Sequence, residues 1–134
     1  MRYQLGFLED VDSFLGSVKC ADMDDDGDMD VVFTSDNHSI SPMSIFIYYN
    51  PWRALVSNPW KYDQIAEIVG FHAKETRILD MDGDQNNDVI IRHKNPNSLQ
   101  IIFQNDDDQW QRKTLNTDTL GNEGFEVGNL NADD

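Results

Sequence analysis

Short apolar runs rich in β-branched and aromatic residues recur along the whole chain, and Asn, Asp, Gly and Pro separate them. Runs of about five residues with this punctuation are typical of β-strands, and no long stretch shows the 3.6-residue period of an amphipathic helix. We therefore predict an all-β, antiparallel protein. The eight predicted strands are residues 17–21, 31–35, 44–49, 61–68, 75–79, 89–92, 99–103 and 111–115.

These strands form two consecutive sets of four, and the two sets repeat each other. The acidic stretch that begins at Asp22 returns at Asp80, 58 residues later, and in part at Asn129, after another 49. Trp60 returns as Trp110, 50 residues later, so the two tryptophans precede the next acidic stretch by 20 and 19 residues. A four-stranded unit of roughly 50 residues has the size of a β-propeller blade.

The repeat predicts how the chain divides. Residues 1–15 are expected to be the tail of a preceding unit, 16–73 the first blade, 74–123 the second blade, and 124–134 the start of a third. Two whole blades and two partial blades cannot close a ring of 4 to 8 blades, so other copies or further sequence must cover the open sheet faces. We therefore expect the isolated chain to associate head to tail or to be only marginally folded.

The nine residues from Asp22 to Asp30, called loop 1 below, carry the strongest chemical signal. Six of the nine are aspartates, which would repel one another without a cation. Asp22, Asp24 and Asp26 alternate, Gly27 permits a sharp turn, and Asp30 closes the ring. This arrangement predicts an oxygen cage for Ca²⁺ rather than for Mg²⁺, which keeps its waters.

Residues 80–88, called loop 2, carry acids at the same first, third, fifth and ninth positions and also lead into a strand. Glycine moves to the fourth position and Gln85 replaces Gly27, so we expect a slightly different turn. An EF-hand would need a glutamate at the twelfth position and a helix afterwards, but Phe33 stands there in the first copy. The partial third loop, 129–134, lacks its closing acid and is not expected to bind metal.

Composition limits the partners. With 25 acidic and 10 basic residues, the formal net charge of −15 argues against nucleic acid and anionic membranes. No run of 18 apolar residues predicts a membrane span, and the first residues lack the apolar core of a signal peptide. Either the protein is not exported by that route or the sequence is an internal fragment. Asn37 begins an N-glycosylation acceptor pattern, which matters only in a glycosylating secretory route.

The remaining conspicuous residues are one cysteine and three tryptophans. Cys20 cannot form an internal disulfide and is expected to be a small, buried core residue. Trp60 and Trp110 are expected to pack between sheets because they recur. Trp52 has no counterpart, and both a contact with a ligand and packing over the adjacent blade stay open. The stretch 51–59 around it is predicted to hold a single helical turn.

Residues 18–32, 78–91 and 124–131 resemble FG-GAP and VCBS-type repeats, the calcium-bearing blades of the integrin α-subunit head and of many bacterial secreted proteins. The resemblance implies a β-propeller with Ca²⁺ bound between the first and second strands of each blade, and an extracellular or cell-surface protein. It implies two ligand sets: the side chains of Asp22, Asp24, Asp26 and Asp30 with the carbonyl of Asp28, and those of Asp80, Asp82, Asp84 and Asp88 with the carbonyl of Asn86.

Metal binding or packing explains every recurring residue, and the sequence shows no nucleophile elbow, Gly-rich phosphate loop or His-based triad. We therefore expect a structural module, not an enzyme in itself, whose stacked blades serve adhesion or self-assembly. Two alternatives stay open. The blades can belong to a larger secreted polysaccharide lyase or hydrolase, or they can form a Ca²⁺-dependent carbohydrate-binding module that uses Trp52 or Trp60.

Overall fold

The computed structural model describes residues 14–36, 42–51, 60–69, 72–93, 98–105, 109–116 and 125–128. Within these ranges the chain forms two four-stranded antiparallel sheets and no helix. The first sheet has the order β1 (Phe14–Ala21), β2 (Asp30–Asp36), β3 (Met43–Tyr48) and β4 (Tyr62–Ile68). The second has the order β5 (Ala73–Leu79), β6 (Asp88–His93), β7 (Ser98–Asn105) and β8 (Gln109–Asn116).

The all-β prediction is confirmed, and so is each of the eight predicted strands, with ends that differ by at most three residues. No helix of the described residues has the length and apolar character needed to cross a membrane. The glycosylation pattern at Asn37, Trp52, the predicted helical turn and the partial third loop all lie outside the described residues.

The two sheets share one hydrophobic core. It is built largely from β-branched side chains, which fit the pleated surface of a sheet, and Trp110 packs against it as predicted. The fully buried members come from both halves of the chain: Val32, Met43, Ile45, Ile47, Ala73, Val89, Ile91 and Ile102.

The first strands of the two sheets, β1 and β5, approach closely at Gly16. A Cβ atom at this position would lie 2.7 Å from Thr34 Oγ1 and 3.2 Å from both the Cβ and the carbonyl oxygen of Ala73. Gly16 is also the extra residue where the β1–β2 register shifts, and Lys74 is the extra residue at the matching place in β5. These two positions are 58 residues apart, so the repeat seen in the sequence extends to a β-bulge in the backbone.

Aromatic side chains line the other face of the first sheet. Phe33 stacks on Phe46 and Tyr48 at centroid distances of 5.0 and 5.5 Å, and Tyr48 stacks on Tyr62 at 5.1 Å. Such pairs contribute about 0.5–1.5 kcal/mol each beyond burial of their area. The strand period of two therefore divides the first sheet into an aliphatic face toward the second sheet and an aromatic face away from it.

The expectation that Cys20 is buried is wrong, because its side chain is exposed. Its neighbour Ala21 packs against the shared core, and successive side chains of a strand point to opposite faces. A one-residue difference in register exchanges the two faces, so an apolar sequence context alone could not decide which of the two residues is inside.

Candidate metal centres

Loop 1 connects β1 to β2, and loop 2 connects β5 to β6. In loop 1, Asp22, Asp24 and Asp30 each place one carboxylate oxygen so that the three oxygens lie within 4.8 Å of one another. In loop 2, the equivalent Asp80, Asp82 and Asp88 do the same. The structure therefore brings together the first-, third- and ninth-position aspartates of both loops, and each cluster can hold a metal ion.

The ninth-position aspartate closes each loop. In loop 1, Asp30 Oδ2 accepts a hydrogen bond from Met23 N at 2.8 Å, and Oδ1 accepts one from Asn50 N at 2.7 Å, just beyond the end of β3. In loop 2, Asp88 accepts the corresponding bonds from Met81 N at 2.7 Å and from Gln104 N at 3.0 Å. Asp30 and Asp88 are both fully buried. Their hydrogen bonds join the start and the end of each loop to the third strand of the same sheet or to a residue just beyond it.

The other loop carboxylates fold the backbone around themselves. Gly27 N donates to Asp22 Oδ2 at 2.9 Å, and Gln85 N donates to Asp80 Oδ2 at 3.0 Å. The fifth-position aspartates accept from the backbone two residues later, Asp26 from Asp28 N at 2.9 Å and Asp84 from Asn86 N at 2.8 Å. Aspartate favours such turns because its short side chain reaches its own backbone.

Both loops turn left-handed at their fourth and sixth positions. In loop 1 these are Asp25 with φ 56° and Gly27 with φ 91°, and in loop 2 they are Gly83 with φ 84° and Gln85 with φ 78°. The expected slight difference lies in the hydrogen bonds rather than in these two turns, because Gly83 N donates to Asp80 Oδ1 at 2.7 Å, whereas Asp22 Oδ1 has no partner among the described residues. The backbone makes the same two turns, and glycine only changes which of them it occupies. A non-glycine residue in this region costs about 1–2 kcal/mol, which the matched hydrogen bonds of each loop must offset.

Burial, together with crowding of the carboxylates, raises the pKa of three loop aspartates. Burial is the main cause that raises the pKa of Asp30 and Asp88, opposed by the backbone N–H groups they accept from and reinforced by nearby loop carboxylates. Burial, followed by repulsion from Asp30 and Asp26, also raises the pKa of Asp24. A bound cation would reverse these shifts, since it favours the ionised carboxylates.

One oxygen of loop 1 points to a ligand independently of the spacing. Asp22 Oδ1 is buried and has no hydrogen-bond partner among the described residues, whereas its other oxygen accepts from Gly27. Buried polar atoms are normally paired, so this oxygen calls for water or a cation. The hard, all-oxygen donor set matches the preference of Ca²⁺ and Mg²⁺.

Not every predicted ligand lies in the close clusters. The fifth-position carboxylates of Asp26 and Asp84 lie outside the two groups of three. One oxygen of each accepts a hydrogen bond from a backbone N–H. Asp28 is buried and Asn86 is half-buried. The roles of these four residues as ligands stay predictions.

Sequence reasoning missed two residues of the second unit that hold loop 1. Asn87 Nδ2 donates to Asp22 O at 2.7 Å, and Gln104 Nε2 donates to Met23 O at 3.1 Å. A polar cleft of about 250 Å³ opens beside these contacts, between the start of loop 1 and the end of loop 2. Aligning the two repeats shows polar Asn87 at the position of Met29, but only the fold reveals what it contacts.

Comparison of this chain with protein-family models, with curated proteins and with solved structures finds no match. The case for a metal centre therefore depends on the geometry of the two loops and on their internal repetition. Each loop serves as the comparison for the other, because 58 residues separate them in the chain and their backbones nevertheless agree.

Proposed function

We propose that this chain is a calcium-binding β-repeat module with a structural role, in which two Ca²⁺ ions rigidify successive four-stranded sheets. The observation that carries the proposal is the matched pair of loops. Both bring the carboxylates of their first, third and ninth positions within 4.8 Å of one another, and both do so on a backbone with two left-handed turns. A solvated acidic turn would have no reason to recur with four matched hydrogen bonds at its carboxylates.

Calcium suits this cage better than magnesium. Ca²⁺ binds oxygens at about 2.3–2.6 Å, so two ligands on opposite sides of the ion lie about 5 Å apart, whereas around Mg²⁺ they lie about 4 Å apart. The oxygens of each cluster lie within 4.8 Å of one another, a limit that admits either ion, so the choice between them depends on coordination chemistry. Mg²⁺ also keeps most of its waters and rarely binds several carboxylates of one loop.

The structural role follows from what each loop joins. Asp30 connects the start of loop 1 to Asn50, just beyond β3, and Asp88 connects the start of loop 2 to Gln104 in β7. A cation that neutralises the repulsion between these carboxylates and their neighbours would therefore stabilise three strands of each sheet at once. At a calcium concentration 100 times the dissociation constant, the gain is about 2.7 kcal/mol per site.

The start of a third unit supports a propeller-like succession. Residues 125–128 occupy the repeat position of 76–79, and Phe125 N donates to Glu75 Oε2 at 3.1 Å. Arg77 Nη2 pairs with Glu126 Oε1 at 2.7 Å, and Arg77 holds the pKa of Glu126 below its usual value. The third unit thus begins beside β5, as β5 lies beside β1. Stacked units of this kind offer a surface for adhesion or self-assembly, and millimolar extracellular calcium suits weak loop sites.

Isothermal titration calorimetry of chelator-treated protein tests the metal assignment. We expect two calcium ions per chain, and one ion fewer in each of the variants Asp24→Asn and Asp82→Asn. Asp63→Asn is the matched control, because Asp63 is an exposed β4 acid outside both loops that lies 3.9 Å from Lys61. Two ions in all variants, or no binding and no change in melting temperature in millimolar calcium, would refute the proposal.

A second candidate function is calcium-dependent binding of a polar ligand such as a glycan. The cleft of about 250 Å³ favours it, because carboxylate and amide side chains of both units line this cleft beside the first metal cluster. Glycan-array binding in calcium and in EDTA tests this function, with Asn105→Trp to obstruct the cleft from the exposed end of β7. Binding that survives EDTA and the obstruction would contradict it.

A further inference from the structure

Two side-chain amides of the second unit donate to backbone carbonyls of loop 1, and these two hydrogen bonds are called the interloop bonds below. Asn87, the eighth residue of loop 2, donates its side-chain amide to the carbonyl oxygen of Asp22 at 2.7 Å. Gln104, at the end of β7, donates its side-chain amide to the carbonyl oxygen of Met23 at 3.1 Å. Gln104 is 7% exposed, so this contact is made away from solvent, where a hydrogen bond is worth more.

The donors of these bonds are positioned by the second metal cluster. Asn87 directly precedes Asp88 in the chain, and the backbone N–H of Gln104 donates to Asp88 Oδ1 at 3.0 Å. Asp88 therefore helps to position both donors, together with the pairing of β7 and β8 that includes Gln104. Ordering of loop 2 by a cation would order both donors with it.

The acceptors are positioned by the first metal cluster. One carbonyl belongs to Asp22, a member of that cluster, and the other to Met23, whose N–H donates to Asp30 Oδ2 at 2.8 Å. The side chain of Met23 is 3% exposed and lies in the core shared by the sheets. Each interloop bond thus joins a peptide group held by one cluster to a side chain held by the other.

Among the described residues, the first unit shows no equivalent pair of contacts. Met29, the counterpart of Asn87, is 63% exposed, and Asn50, the counterpart of Gln104, donates its amide to Met29 O at 3.3 Å within its own unit. Repetition alone therefore does not supply both donors, because position 29 carries no side-chain amide. They arise where a polar pair in one unit meets the loop of the unit before it.

We propose that the two metal sites bind calcium cooperatively, and that Asn87 and Gln104 are the positioning residues that couple them; the inference rests on the proposed function. A cation in either loop orders either the donors or the acceptors of the two interloop bonds. The second cation therefore binds a loop that has already lost much of its conformational freedom, so its binding costs less entropy. Coupling is reciprocal, and each site raises the affinity of the other by the same factor. Two hydrogen bonds of this kind correspond to a factor of roughly 5 to 100.

Calorimetric titration of the full chain with calcium, after removal of metal, measures this factor. We expect the wild type to bind two ions with positive cooperativity. Asp82→Asn should bind a single ion, at the first site. The affinity of that site should be at least about fivefold lower than its affinity in the wild type with the second site loaded. In Asn87→Ala and in Gln104→Met, two ions should still bind but with the coupling factor reduced severalfold toward one. Met29→Ala, at the matching exposed position, should leave the factor unchanged.

A second measurement guards against variants that merely loosen the fold. In Asp24→Asn, whose first site is disabled, calcium at the second site should slow hydrogen exchange of the Met23 amide, and Asn87→Ala should remove that effect. Two independent sites in the wild type, or an unchanged coupling factor in both Asn87→Ala and Gln104→Met, would overturn the coupling and leave the calcium-binding function standing. Absence of any calcium binding would overturn both.

Discussion

Replacing Gln85 by glycine should stabilise the protein. Gln85 is exposed, has φ 78°, and stands where loop 1 has Gly27 with φ 91°. Relief of the left-handed strain should increase the free energy of unfolding by about 1–2 kcal/mol. The greater conformational freedom of glycine in the unfolded chain should decrease it by about 0.4–1 kcal/mol. We therefore expect Gln85→Gly to gain about 0.5–1 kcal/mol and the reverse substitution in loop 1, Gly27→Ala, to lose a similar amount.

The structure makes this pair a clean test of backbone strain. A Cβ atom at Gly27 would have no heavy atom within 4 Å, so a steric clash cannot explain a loss of stability there. Gln111→Gly is the matched control, because Gln111 is an exposed glutamine in the extended strand β8. Glycine in a strand costs roughly 0.5–1 kcal/mol, so the same substitution should have the opposite sign.

Urea unfolding and thermal melting in saturating calcium measure these changes. A difference of about 1 kcal/mol shifts the melting temperature of a domain of this size by roughly 3–5 °C. If Gln85→Gly proved destabilising while Gly27→Ala proved neutral, the equivalence of the two turns would be refuted. Equal effects of Gln85→Gly and Gln111→Gly would show that strain at position 85 is not what limits stability.

Three further predictions concern metal, protons and the approach of the two sheets. Removing calcium should lower the melting temperature, with a loss of about 2.7 kcal/mol for each site that was loaded at 100 times its dissociation constant, and scanning calorimetry in EDTA against 10 mM calcium checks this. Burial raises the folded-state pKa of Asp30 and Asp88 above 3.8. In metal-free protein, the stability that these two groups contribute should therefore be complete below about pH 4 and should be lost as pH rises through the raised pKa. Bound calcium should abolish this loss of stability with rising pH. A melting temperature of metal-free protein that instead increases from pH 4 to pH 7 would contradict the prediction. Gly16→Val should cost about 1–3 kcal/mol in urea unfolding, since even a Cβ lies 2.7 Å from Thr34 Oγ1, whereas Gly128→Ala, with open space around its Cβ, should cost less.

Local patterns in the sequence determined the strands and the two acidic loops. The strands at 44–49 and 89–92 were recognisable because apolar β-branched runs and the turn residues around them act over a few positions. The convergence of Asp22, Asp24 and Asp30 was also predictable from local sequence, because all three lie within nine residues. The carboxylate of Asp30 accepts hydrogen bonds from Met23 in the same loop and from Asn50 just beyond β3. The repeat then predicted the second cluster from the first.

Only the tertiary structure decided which face Cys20 takes and which groups Asn87 and Gln104 contact. The face that Cys20 takes depends on the strand register, and a shift by one residue would exchange the two faces. The interloop contacts join residues 65 and 81 positions apart, and no local pattern encodes them. They exist because the shared core brings the two sheets together, and packing over such distances is specified by the whole chain rather than by any one stretch of it.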